Sequence, residues 1–144
     1  MPMETREALA SLHKYYLNAS KMKHLYELRT RERGFAIALE DDDWAEQWIY
    51  LSLWYATLFV VAEGWSELQF TDEGIEQLLS EEVKLNALRR FRNGVFHFQS
   101  SYHDDRFVDF VALGAASAEW VRALHSALGR DLLTKMRTIM QADG

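Results

Sequence analysis

After Pro2 the chain contains no proline. Every later residue therefore keeps its backbone N–H, and none carries a ring that would clash with the preceding helical turn. Where apolar residues recur, they do so at three- and four-residue spacing, the period of an amphipathic helix. Together these features predict an all-α fold, a helical bundle of four main helices plus one or two short helices. With 144 residues, 49% of them hydrophobic, the chain has the size and core material of one domain spanning 1–144.

The first helix is expected from about Glu4 to Arg33, with Gly34 as its stop. The second begins at Asp41-Asp42-Asp43, whose carboxylates can cap free N–H groups. It is expected to end near Glu63, with Gly64 just beyond. Trp44, Trp48, Ile49, Leu51, Trp54, Tyr55, Leu58, Phe59 and Val61 surround this helix, placing it centrally in a bundle or also in an oligomer interface. Thr71 can cap a short helix over residues 72–79, and Ser80 a further one running to about His97. Asp104-Asp105 can start a short helix through Phe110, although Phe107 to Val111 also suits a strand. Ser117 can cap a last helix from Ala118 to about Gln141.

The apolar stretch from Ile49 to Ala62 is fourteen residues long and interrupted by Ser52 and Thr57. A membrane span needs about 20 apolar residues, so this is a core helix and no membrane partner is expected. Glu4, Arg6 and Glu7 fall where a signal peptide would be apolar. Cysteine is absent, which excludes disulfides and thiolate metal sites and is compatible with the reducing cytoplasm.

A net charge of −6 argues at first against a nucleic-acid partner. The charge is unevenly placed, however. Residues 34–83 hold twelve of the 22 acids and no Lys, Arg or His, so all 16 Lys and Arg share the rest with ten acids. Either one helix pair has an acidic solvated face, or acidic and basic surfaces are segregated and the basic one can meet phosphates.

Chemistry concentrates near the end of the fourth helix. On a helical wheel Leu88, Phe91 and Val95 share the core side, and Asn86, Arg90, Asn93 and His97 form a polar stripe opposite. Arg92 falls between Leu85 and Leu88, on the side that should be apolar. An arginine there needs an ion pair, a solvent route for its head, or a function. Gly94 costs roughly 1 kcal/mol relative to alanine within a helix. With Ala87 it makes a small-residue patch that another backbone can approach. His97, His103, Asp104 and Asp105 match no defensible metal spacing. His13, His24 and His125 stand alone in their helices. The five tryptophans suit a core or dimer interface better than a base-stacking platform.

The run Arg92-Asn93-Gly94-Val95-Phe96-His97 resembles the Arg-x4-6-His motif of the HEPN superfamily, with Asn93 as the polar residue that commonly follows the arginine. The motif-level resemblance covers residues 88–98, and the helical architecture extends it loosely over the chain. It implies a metal-independent ribonuclease without a cofactor, acting as a homodimer with a composite site, of the kind found among toxins and anti-phage effectors. Arg92 and His97 would be catalytic, with Asn93 in support. Arginine's planar fork matches phosphate oxygens. Histidine titrates near neutral pH and can take the proton of a ribose 2′-OH, giving a 2′,3′-cyclic phosphate. Asn93, one turn before His97, would orient its ring. Arg89 and Arg90 would bind flanking phosphates of the RNA. On an ideal helix Arg92 and His97 point about 140° apart, so a two-fold dimer or a local break at Gly94 or His97 is needed to bring such groups together. Members paired with a nucleotidyltransferase antitoxin carry a tyrosine two residues after the histidine. Here that position is Gln99, and Tyr102 is out of register, so regulation by nucleotidyl transfer to that tyrosine is not implied, while an antitoxin partner stays among the expectations. The alternative is a non-catalytic module of the same type that binds a nucleotide or a protein.

Overall fold

The computed structural model describes residues 1–34 and 42–144, the side chains of Arg33, Asp42 and Asp43 apart. Six helices and no strand occur among them: α1 (Met3–Arg33), α2 (Asp42–Glu67), α3 (Glu73–Leu79), α4 (Glu82–Phe96), α5 (Asp105–Ala112) and α6 (Ala115–Ala142). The all-α bundle expected from the proline-free, helically spaced sequence is the fold observed. None of the helices described is long and apolar enough to cross a membrane.

α2 is the hub, packing against α1, α4 and α6. Trp54, Leu58 and Val61 are fully buried on it, which follows from its apolar circumference. Leu88 and Phe91 of α4 and Val121, Leu124, Leu128 and Leu132 of α6 complete the same buried cluster. Phe91 lies within 5.7–6.0 Å of Tyr55, Trp48, Phe107 and Phe110, so an aromatic knot joins α2, α4 and α5.

Several helix ends differ from expectation. Gly34 does stop α1, with φ 69° and its N–H donating to the Thr30 carbonyl. The Asp41–Asp43 carboxylates expected to cap α2 lie outside the described residues. Gly64 does not end α2, which runs on to Glu67. A Cβ on Gly64 would sit 2.6 Å from Leu12 Cδ1, so the glycine allows α1 and α2 to close on each other. Asp72, rather than Thr71, caps α3 by accepting from the Ile75 N–H. Ser80 turns backward and donates to the Gln77 carbonyl, leaving Glu81 at the start of α4. Asp104 caps α5 as a helix start, accepting from the Arg106 N–H, so residues 107–111 are helical. Gly114 precedes α6, and Ser117 is a buried first-turn residue donating to the Gly114 carbonyl. Serine can satisfy backbone groups on either side of itself, which is why its cap signals misplace helix starts here.

His125 is buried in this core. Its Nδ1 accepts from Trp54 Nε1 at 3.0 Å and its Nε2 meets Ser20 Oγ at 3.1 Å. Tyr16 Oη donates to the His125 carbonyl. Burial, with Lys23 nearby, depresses its pKa to about 4. The ring is therefore neutral at pH 7, and the Trp54 bond places its proton on Nε2.

Candidate functional site

α4 presents its last two turns along α2 and α5. Arg92 lies over the Phe59 ring of α2 at 4.7 Å. One guanidinium N–H donates to Glu63 Oε1 at 3.3 Å and Nε donates to Asn93 Oδ1 at 2.9 Å. This explains how an arginine stands on the apolar side of the wheel: an aromatic face and a carboxylate receive it. Neither grip is strong. The Arg92 side chain is 20% exposed and Glu63 is 43% exposed, and a pair so open to solvent is worth about 0.2–1 kcal/mol. A cation over an aromatic face adds roughly 0.5–1 kcal/mol. A phosphate offering two charge-assisted hydrogen bonds competes with such holds.

Arg89 sits one turn earlier over the same ring, at 5.4 Å, and is hydrogen-bonded to Asn86. The two guanidiniums thus share Phe59, beside a cleft of about 220 Å³ lined by Phe59, Glu63, Leu85 and Arg89. Arg90 points elsewhere and pairs with Asp109 of α5. Sequence segregation of charge is therefore partly undone in space, since Glu63 meets Arg92 and Glu46 meets Arg29 across helices.

His97 is the residue at which α4 ends. Its N–H still donates to the Asn93 carbonyl, but its φ of −123° and ψ of 127° are extended. The chain break needed near the motif falls at His97, not at Gly94, which is helical. Gly94 packs beneath α5, where an added Cβ would meet Phe107 Cε1 at 2.8 Å. Phe107 and Arg106 of α5 thus take up the approach to Gly94. The His97 side chain is exposed, and no hydrogen bond or ion pair engages it among the described residues. Asn93, expected to orient that ring, spends its amide oxygen on Arg92 instead. Arg92 and Asn93 are thus brought together, and among the described residues no side-chain contact ties the His97 ring to either. Phe96 and Phe98 flank His97 on the surface, Phe98 at 95% exposure.

Beyond His97 the chain is pinned by Gln99. Its Nε2 donates to the His97 carbonyl at 2.8 Å, and its Oε1 accepts from Arg106 at 2.8 Å. Arg106 also holds Asp104, whose carboxyl is kept below its ordinary range by the Arg106 backbone N–H and guanidinium. Gln99, at the position of the motif's tyrosine, is a structural clasp on this turn. No group of three or more His, Asp or Glu side chains converges with metal-ligand spacing among the described residues.

A second feature escaped sequence reasoning. Trp44, Trp48, Tyr102 and Phe107 wall a groove of about 420 Å³, with Gln99 and Ser101 on its rim. Trp54, Trp65 and Trp120 behave as core residues, each with its indole N–H paired. Trp48 packs against the edge of the core, and Trp44 lies beside it. They are half-buried and face this groove. Their i,i+4 spacing was the one available signal; Tyr102 arrives from a distant turn.

The site thus belongs to an all-α bundle in which a cationic pair and an exposed histidine occupy one helix end. Compared with protein-family models, curated proteins and solved structures, the chain matches none.

Proposed function

We propose that the protein is a metal-independent endoribonuclease of the HEPN type, acting as a homodimer in the cytoplasm as a toxin or anti-phage effector. The observation that carries this reading is the contrast between its two motif side chains. His97 stands exposed and unengaged where α4 ends, and Arg92 is held one turn back by contacts weak enough to yield to phosphate. His97 takes the proton of a ribose 2′-OH. The 2′-oxygen bonds to the adjacent phosphorus, the P–O5′ bond breaks, and the 5′-oxygen leaves as a hydroxyl after protonation by water. Arg92 stabilises the charge gathered on the phosphorane oxygens. Asn93 fixes the Arg92 fork through its Nε, and Arg89, over the same Phe59 ring, holds a flanking phosphate; Arg90 would do so only on leaving Asp109. Phe96 and Phe98 beside His97 supply apolar surface of the kind a second copy covers. That copy would bring its own Arg92 toward His97 and so relieve the divergence of the pair on one helix.

The test is incubation of purified protein with RNA in excess chelator. Cleavage to 2′,3′-cyclic ends, lost in Arg92→Ala and in His97→Ala, is expected. DNA lacks the attacking hydroxyl and should survive. Cleavage unaffected by both substitutions would overturn the proposal.

One observation favours a second reading, a non-catalytic nucleotide- or protein-binding module. The Arg92 fork already has Glu63, Asn93 and the Phe59 ring as partners. Retained RNA or nucleotide binding, with no cleavage by the wild type under any condition, would select it.

A further inference from the structure

The groove between the start of α2 and the 99–108 segment lies outside the Arg92–His97 pair. Its outer walls are rings in near-parallel array. Trp44 and Trp48 stand 6.4 Å apart at 6°, and Trp44 and Tyr102 stand 6.0 Å apart at 25°. The inner wall is fixed: Trp48 packs edge-on against Phe107 at 5.3 Å, and both rest on buried Phe91. The outer wall is accessible, with Tyr102 at 57% exposure. A volume of about 420 Å³ is that of a small-ligand site. The rim is polar. Among the described residues the Ser101 hydroxyl and the His103 ring nitrogens have no hydrogen-bond partner, and both residues line the groove.

We infer that this groove binds one nucleobase of single-stranded RNA, stacked on the Trp44–Tyr102 rings with its polar edge toward Ser101 and His103. Flat rings take any base, because every base has a π-face. Hydroxyl and imidazole groups can then read its edge. The inference rests on the RNA-cleavage reading for its strand. The link between the two is short: Gln99 on the rim is two residues from His97 and is hydrogen-bonded to its carbonyl. The groove is a substrate subsite and supplies no catalytic residue.

Binding is measured by fluorescence anisotropy of a labelled single-stranded oligoribonucleotide, in the His97→Ala background so that the probe is not cut. Trp44→Ala and Tyr102→Ala should each weaken binding about tenfold. Tyr102→Phe, which keeps the ring, should retain the affinity, as should Tyr15→Ala, which removes an exposed tyrosine of α1 outside the groove. Circular dichroism and melting confirm that each variant is folded. A wild-type affinity in folded Tyr102→Ala and Trp44→Ala overturns the inference, as does the absence of RNA binding by the unsubstituted groove. Adenosine monophosphate bound as tightly as the oligomer also overturns it, assigning the groove to a free nucleotide. The two proposals fail separately. Normal Arg92- and His97-dependent cleavage by groove variants refutes the subsite alone. Groove-dependent binding by a protein that never cleaves refutes the nuclease alone.

Discussion

Glu63 is the residue on which the Arg92 assignment turns. It holds Arg92 at 3.3 Å in a solvent-open pair, and its negative charge opposes any phosphate arriving there. Glu63→Gln removes that competitor while leaving a side chain of the same size. The expected outcome is a two- to fivefold lower KM for RNA, about 0.4–1 kcal/mol, with little change in melting temperature. A raised KM, measured by initial-rate kinetics, would mean that Glu63 positions Arg92 for catalysis rather than restraining it. His125 makes a separate prediction about stability. Its folded pKa is depressed to about 4 by burial, below the ordinary histidine value near 6.5. The unfolded chain therefore takes up the proton first as pH falls. Stability from this group is intact above about pH 6.5 and is lost progressively toward pH 4, by up to about 3 kcal/mol. Urea unfolding across that range should show His125→Leu less stable than wild type at pH 7 but with a flatter pH dependence. Parallel pH profiles would contradict this account of the buried ring.

At the scale of the helices, the close approaches at Gly94 and Gly64 differ in kind. At Gly94 the obstacle is the rigid Phe107 ring, with Arg106 Cβ also at 3.2 Å, whereas at Gly64 it is the free end of Leu12. Gly94→Ala should therefore cost about 1–3 kcal/mol by pushing α5 from α4. Gly64→Ala should cost less, because Leu12 can turn aside and the helix gains roughly 1 kcal/mol of propensity. Equal losses in thermal or urea unfolding would refute the distinction. The same glycines show what was legible in the sequence. Apolar spacing and the absence of proline revealed the helices, because both act within a few residues. Gly64 read as a stop because nothing local announces that Leu12 arrives opposite it. Ser80 and Ser117 read as caps because their hydroxyls can serve either direction, and the fold chooses. At the site, Arg92 on the apolar side of the wheel was visible as an anomaly, but its partners Phe59 and Glu63 were not. The groove needed Trp44 and Tyr102, which only the folded chain brings together.

At the scale of the whole molecule, the nuclease reading requires two copies. Phe98 is 95% exposed, with Phe96, Val108 and Val111 also exposed on neighbouring segments. Phe98→Asp should convert a dimer to a monomer in sedimentation analysis and reduce RNA cleavage at least tenfold, about 1.4 kcal/mol or more, while the core, which Phe98 does not enter, melts as before. A monomeric wild type that cleaves at full rate would remove the second copy from the mechanism. The most direct measurement combines two inactive proteins. Arg92→Ala and His97→Ala subunits are mixed, allowed to exchange, and assayed for RNA cleavage in chelator. If Arg92 of one copy works with His97 of the other, each heterodimer regains one intact site, and an equal mixture should recover about a quarter of the wild-type rate. A mixture no more active than its separate components would contradict a site shared between copies.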